Sequence, residues 1–136
     1  MQQDRIRVLS VDDHQLLREG IAVLVENESD LLLVPQATNG KEAVQRFREH
    51  RPDVTLMDLS MPVSNSFEAL RSIRAEFPEA RIIILTTFES DEDTRTARES
   101  GACGCLLKTL PPAQLLRAIR DVHAGAAWVL PAPAGR

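Results

Sequence analysis

The stretch RIIILTTFESDEDTRTARESGACGCLLK, residues 81–108, has in turn the patterns of a strand, a loop, a helix and a strand, and it ends at Lys108. Its first apolar run, residues 82–85, is unbroken and mostly β-branched, which is typical of a central parallel strand buried on both faces. A second run, residues 105–107, leads directly into Lys108, as the first leads into Thr86. The pattern predicts two strands that bring a hydroxyl and an ammonium group to one sheet edge, where open α/β folds keep their ligands.

The rest of the chain repeats this alternation of strand and helix. Strands are predicted at 6–11, 31–34 and 54–57, and helices at 15–27, 39–51, 67–77, within the quoted stretch, and from Pro111-Pro112 to Gly125. Residues 61–66 are predicted to be a loop. In the first helix the apolar residues are interpreted as one stripe, made of Leu16, Leu17, Ile21, Val23, Leu24 and Val25. Five strands and five helices in alternation predict a flavodoxin-like (βα)5 three-layer α/β sandwich with a parallel sheet in the order 2-1-3-4-5.

Composition limits the class of protein. The 136 residues, 43% of them hydrophobic, suffice for one globular domain, which we place at residues 1–125. The Ala/Pro-rich residues 126–136 are predicted to begin a linker. A net charge of −4 without a basic cluster argues against nucleic-acid binding by this segment. No apolar run approaches ~20 residues and the N-terminus carries acids, so we expect a cytoplasmic protein with neither signal peptide nor membrane span.

Five polar residues follow the predicted strands. Asp12 and Asp13 come after the first strand, Asp58 after the third, and Thr86 and Lys108 after the fourth and fifth. Three carboxylates at one edge repel one another by several kcal/mol unless a cation lies among them, and oxygen ligands favour Mg²⁺. The hydroxyl and the ammonium are then suited to an anion. This combination predicts a phosphoryl-transfer site in which Asp58, alone at the end of a buried strand, is the nucleophile.

Four segments together resemble the receiver domain of two-component response regulators over about residues 5–130. They are VDDH (11–14), LMDLSMP (56–62), LTT (85–87) and GACGCLLK (101–108). The run DDHQLLREGI and the Thr109 that follows Lys108 are most similar to the NarL/FixJ-like subfamily of transcription regulators.

The resemblance implies a role for each site residue. Asp58 would accept a phosphoryl group from a sensor histidine kinase, and Mg²⁺ would be held by Asp12, Asp13, Asp58 and the backbone carbonyl of Ser60. Thr86 and Lys108 would contact the phosphoryl oxygens. The domain would be a signalling module and not an enzyme with separate substrates. It would dimerise on phosphorylation and control transcription through a helix-turn-helix domain beyond residue 136.

Two positions depart from the family pattern. Asn65-Ser66 replaces the usual Asp-Gly, and serine tolerates a positive φ poorly, so we expect a reshaped or strained loop there. Cys105 replaces the usual Tyr or Phe that changes rotamer on activation. We therefore expect switching to depend on Thr86 and the loop of residues 87–91.

Several alternatives stay open from the sequence. The chain is alternatively a phosphorylation-independent docking module, or a Mg²⁺-dependent phosphatase, although phosphatases of the haloacid-dehalogenase family have Asp-x-Asp where this chain has an adjacent pair. Cys103 and Cys105 are either two of the four ligands of a zinc site or, in the interpretation that we favour, buried small hydrophobic residues. His14 either assists phosphate chemistry or is a polar residue of a first helical turn. Trp128 packs on this domain or on a neighbour.

Overall fold

The computed structural model describes residues 5–59, 65–87, 90–126 and 128, and of residue 65 only the backbone. Strands and helices alternate along the chain. The strands are β1 Ile6–Val11, β2 Leu31–Leu33, β3 Val54–Asp58, β4 Ile82–Thr86 and β5 Gly104–Leu107. The helices are α1 Gln15–Glu26, α2 Gly40–His50, α3 Asn65–Glu76, α4 Asp91–Glu99 and α5 Pro112–His123.

The five strands form one parallel sheet in the order β2-β1-β3-β4-β5. One hydrophobic cluster joins the sheet to α2, α3 and α4, through residues such as Phe47, Ile73 and Ala97. A second cluster joins the opposite face to α1 and α5, through residues such as Val25 and Ile119. The predicted flavodoxin-like three-layer sandwich and its strand order are confirmed.

Strand β4 is central to both clusters. Ile82 and Ile84 belong to the cluster on the α2–α3–α4 face, whereas Ile83 and Leu85 belong to the one on the α1–α5 face. A strand that is covered on both sides has no solvent-facing positions, which explains the unbroken apolar run. Asp58 pairs in register with Leu85, and Thr86 with Leu107, so the carboxyl ends of β3, β4 and β5 lie at one edge.

Several boundaries differ from prediction by one or two residues, and one helix starts earlier than expected. For example, β2 ends at Leu33, β5 begins at Gly104, and α1 ends at Glu26. α3 begins at Asn65, so the prediction of a loop through residue 66 was wrong at its last two residues, while residues 60–64 lie outside the described part. Ser66 is fully buried in the first turn of α3.

The stripe predicted for α1 was too wide. Ile21 and Val25 are buried, but Leu16 is 82% exposed and Val23 is 59% exposed. At 3.6 residues per turn, residues seven apart share an azimuth, so Leu16 and Val23 lie on one line along the outer side of the helix. Within the described ranges, no helix is long and apolar enough to cross a membrane.

Candidate functional site

Three carboxylates meet at the carboxyl edge of the sheet. Asp58 is the last residue of β3 and Asp12 follows β1, and their exposed fractions are 0% and 1%. Asp13, the next residue, is exposed. One ligand atom from each of Asp12, Asp13, His14 and Asp58 lies within 4.8 Å of those of the others. The sheet therefore holds a compact acidic cluster, as expected from strands that end side by side.

The ammonium group of Lys108 lies within this cluster. Its Nζ atom is 2.7 Å from Oδ1 of Asp58 and 3.6 Å from Oδ2 of Asp12. The backbone N–H of Lys108 donates to the carbonyl oxygen of Thr86 at 2.8 Å, which fixes the start of the side chain beside β4. In this structure Lys108 is thus the counter-ion of the carboxylates, at the position from which it would reach an anion bound to Asp58.

His14 is attached to the same cluster. Its backbone N–H donates to Oδ1 of Asp12 at 2.7 Å, and its Nδ1 lies 3.0 Å from that oxygen and 3.1 Å from Oδ1 of Asp13. His14 is the N-cap residue of α1, yet its side chain makes no capping hydrogen bond. The imidazole is directed to the carboxylates, so of the two interpretations left open the structure favours a position at the site.

Thr86 is the last residue of β4 and is buried. Asp58 pairs with Leu85, so the threonine lies one residue beyond the level of Asp58 on the neighbouring strand. Thr87, the next residue, is exposed, and residues 88 and 89 of the predicted switching loop lie outside the described part of the chain. Thr86 therefore lies at the carboxyl edge of the sheet, where the sequence predicted a hydroxyl group.

The residues present suit a hard divalent cation. Oδ2 of Asp12 is buried and, among the described residues, forms no hydrogen bond, its ion pair with Lys108 being 3.6 Å long. A buried carboxylate oxygen without a hydrogen bond is costly, and a cation would satisfy it. Carboxylate oxygens that meet at this range are the ligands of Mg²⁺. The predicted ligand Ser60 lies outside the described residues.

The family model described as "Response regulator receiver domain" matches residues 8–120. This chain belongs to the response regulator receiver family. The receiver is 37% identical to the transcriptional regulatory protein LnrK of Bacillus subtilis over 93% of this chain and 57% of that protein. It is 39% identical to the oxygen regulatory protein NreC of Staphylococcus epidermidis over 91% of this chain and 57% of that protein.

Among solved structures, the receiver is similar to a LuxR-family two-component response regulator from Aurantimonas sp., with a TM-score of 0.87 and 36% identity. That alignment covers 95% of this chain and 91% of the other. The predicted receiver family and its NarL/FixJ-like, or LuxR, branch are confirmed. The chain spans about half the length of the curated relatives it matches.

Ser66, which departs from the family pattern, makes a hydrogen bond within the fold. In this receiver the buried Ser66 hydroxyl donates a hydrogen bond to the carbonyl oxygen of Asp58. The strain expected at Ser66 is not found, because among the described non-glycine residues only Arg51 has a positive φ. The helical turn that begins at Asn65 gives Ser66 an ordinary backbone and aims its side chain at the end of β3. The sequence signalled this contact only as a deviation from the family pattern.

The two cysteines of the receiver lie on different faces of the sheet. Cys105 is buried in the cluster beneath α2, α3 and α4, whereas Cys103 packs against the cluster beneath α1 and α5. Burial raises the pKa of the Cys105 thiol, a hydrogen bond with Thr94 of α4 opposes this shift, and the carboxylate of Asp93 adds to it. The geometry excludes a zinc site shared by the two thiols and supports their interpretation as small packed residues.

Proposed function

We propose that this receiver is a phosphorylation-controlled switch in which Asp58 accepts a phosphoryl group from a sensor histidine kinase. One observation carries the proposal. The buried carboxylate of Asp58 lies between an acidic pair, Asp12 and Asp13, and a lysine ammonium 2.7 Å away. An isolated structural ion pair would have no use for the additional carboxylates, whose mutual repulsion opposes folding.

In the proposed reaction, an oxygen of Asp58 attacks the phosphorus atom of the donor and forms an acyl phosphate, while the donor's leaving group departs. The product carries about −1.5 to −2 charges where the carboxylate carried one. Lys108 then exchanges its contact with the carboxylate for contacts with the phosphoryl oxygens. Asp12 and Asp13, with Asp58 and the carbonyl of Ser60, would hold Mg²⁺, which supplies positive charge against the charge of the transferred group.

Thr86 is proposed to transmit the change. Its hydroxyl is at the end of the strand next to Asp58, so it is positioned to donate to a phosphoryl oxygen. The residues that follow lead into α4. Cys105 packs beneath α4 where relatives have an aromatic ring, so we propose that its small thiol follows the movement of Thr86 without a rotamer change of its own.

We also propose partners and a cellular context for the receiver. Residues 1–125 would form the receiver, residues 126–136 would begin a linker, and a helix-turn-helix domain beyond them would bind DNA. Phosphorylation would favour a homodimer, and the site of action would be the cytoplasm. The chain matches little more than half of transcriptional regulatory relatives, which supports an output domain elsewhere in the full protein.

The direct test is phosphorylation by a small donor. Acetyl phosphate with Mg²⁺ should add the mass of one phosphoryl group to wild type and to Asp121→Asn, a variant of an exposed carboxylate on α5. It should leave Asp58→Asn unmodified. Equal modification of wild type and Asp58→Asn would exclude Asp58 as the acceptor.

A docking module that works without phosphorylation is the second candidate. Two departures at the site favour it, namely Ser66 and Cys105. Beryllofluoride with Mg²⁺ should change the oligomeric state of wild type in sedimentation if the switch is correct. An unchanged oligomeric state together with no measurable Mg²⁺ affinity would favour the docking module. Catalytic hydrolysis of small phosphate esters, which we do not expect, would instead favour the phosphatase.

A further inference from the structure

Two residues that follow α5 pack against different hydrophobic clusters. Ala126, three residues beyond α5, still packs against the cluster beneath α1 and α5. Trp128 packs against the opposite cluster, the one that contains Ala97 of α4 and Cys105 of β5. Ala126 and Trp128 therefore contact opposite faces of the sheet.

Trp128 is held there by an arginine of α4. The guanidinium carbon of Arg98, in the last turn of the helix, lies 4.4 Å from the centroid of the indole ring, which is cation–π distance. The indole is partly buried, and its Nε1 atom is buried with no hydrogen-bond partner among the described residues. An unsatisfied buried donor opposes part of what the stacking contributes to docking.

Helix α4 itself has few attachments to the core. Ala97 is its single buried residue, and the other side chains of the sequence DEDTRTARE are polar or charged. Arg71 of α3 also donates a hydrogen bond to the hydroxyl of Ser100, the C-cap residue of α4, at 3.1 Å. The contact of Arg98 with Trp128 is one of the few side-chain contacts that the described residues make at the C-terminal turn of α4. The N-terminal end of the same helix is connected to Thr86 by residues 87–90.

We propose that the Arg98 face of α4 is a docking surface for Trp128, and that phosphorylation of Asp58 releases this side chain. The release rests on the proposed function, whereas the docking does not. Any displacement of α4 that follows Thr86 moves Arg98 relative to a ring bound also to the sheet, and the stacking is lost beyond about 6 Å. The release of Trp128 uncovers this part of α4 for a second copy of the chain.

The coupling is reciprocal. If phosphorylation weakens docking, loss of docking must favour the phosphorylated-like state by the same factor. Removing the anchor therefore should raise the affinity of the domain for beryllofluoride, the acyl phosphate analogue, in the presence of Mg²⁺. A stabilising contact that is unconnected with the site would leave this affinity unchanged.

The test uses intrinsic fluorescence, because the 136 residues contain one tryptophan and no tyrosine. In wild type, beryllofluoride with Mg²⁺ should shift the emission of Trp128 to longer wavelength and increase its quenching by acrylamide several-fold. Asp58→Asn should show neither change. Arg98→Ala should have the shifted emission without beryllofluoride, whereas Arg95→Ala, an exposed arginine of the same helix, should resemble wild type. Trp128→Leu should bind beryllofluoride several-fold more tightly than wild type, measured by ¹⁹F NMR.

The ¹⁹F signal of bound beryllofluoride distinguishes a failure of the proposed release of Trp128 from a failure of the proposed function of Asp58. If the bound signal forms in wild type while the tryptophan emission stays unchanged or shifts to shorter wavelength, release is wrong and the proposed function stands. If Arg98→Ala retains the wild-type emission, docking through Arg98 is wrong whatever the ligand does. If no bound signal forms, both the phosphoacceptor proposal and the proposed release are wrong. The emission spectrum of Arg98→Ala still tests whether Trp128 docks through Arg98.

Discussion

The hydroxyl of Ser66 donates its hydrogen bond to the backbone carbonyl of Asp58, the residue whose side chain is the proposed phosphoacceptor. This contact ties the first turn of α3 to the last residue of β3. It connects the backbone of the acceptor with a helix on the α2–α3–α4 face, independently of the side-chain ion pair with Lys108. The carboxylate is thus positioned from both its backbone and its side chain.

Replacement of Ser66 tests this positioning. Ser66→Ala removes the donor from a buried carbonyl and should lower the free energy of unfolding by about 1–2 kcal/mol in urea denaturation. It should also weaken beryllofluoride binding, because the end of β3 becomes less fixed. Ser72→Ala, an exposed serine on the same helix, is the matched control and should change neither quantity. If Ser66→Ala has the wild-type free energy of unfolding and the wild-type beryllofluoride affinity, the hydrogen bond does not position Asp58.

Replacement of Lys108 tests the counter-ion. Lys108→Gln leaves the buried carboxylate of Asp58 without its ammonium partner and should lower the unfolding free energy of the metal-free protein by about 3 kcal/mol. Added Mg²⁺ should recover part of this loss, since a cation then replaces the missing charge. Mg²⁺ affinity should rise several-fold by calorimetry, while beryllofluoride affinity falls. Lys41→Gln, which changes the exposed second lysine, is the control and should resemble wild type. A Mg²⁺ affinity of Lys108→Gln below that of wild type would contradict the prediction.

The pH dependence of stability should contain a contribution from Arg120. Its guanidinium contacts both oxygens of Asp30 at 2.9 Å, and this hydrogen bonding holds the pKa of Asp30 below its ordinary value. A carboxyl group with a lowered folded-state pKa stabilises the fold above its unfolded pKa, and the contribution disappears as the pH falls through the folded-state value.

Arg120→Gln should therefore cost up to about 1 kcal/mol near pH 7, the small value typical of an exposed ion pair. The difference from wild type should shrink as urea midpoints are measured at pH values falling below about 4. Arg117→Gln, one turn earlier on the exposed side of α5, should match wild type throughout. A difference between Arg120→Gln and wild type that stays constant down to acid pH would assign the effect to packing and not to charge.

The two thiols should differ in reactivity. Burial raises the pKa of Cys105, and a thiol that is protonated and covered reacts slowly, whereas Cys103 is partly exposed. With a disulfide reagent at pH 8, Cys103→Ser should retain one slow thiol and Cys105→Ser one faster thiol. If beryllofluoride displaces α4, it should accelerate the reaction of Cys105 selectively. Equal rates for the two variants would contradict the described burial.

The sequence predicted those features that depend on local pattern and strand direction. The unbroken run in β4 identified a strand covered on both faces, and the acids after β1 and β3 were expected at one edge because parallel strands end together. Tertiary features were missed. Leu16 and Val23 match an apolar stripe but lie on the outer line of α1, and no local signal distinguishes them from Ile21 and Val25. The face on which Trp128 packs depends on where the chain passes β5, which periodicity does not encode.

The sheet ends on one side in β2, which is three residues long. An edge strand this short offers few free amide and carbonyl groups for the backbone of another chain, one of the ways in which proteins avoid uncontrolled sheet extension. Assembly across β2 by strand addition is therefore disfavoured. An oligomer formed on the β2 side of the domain would instead use side-chain contacts of the helices, which can form and dissociate without opening the sheet.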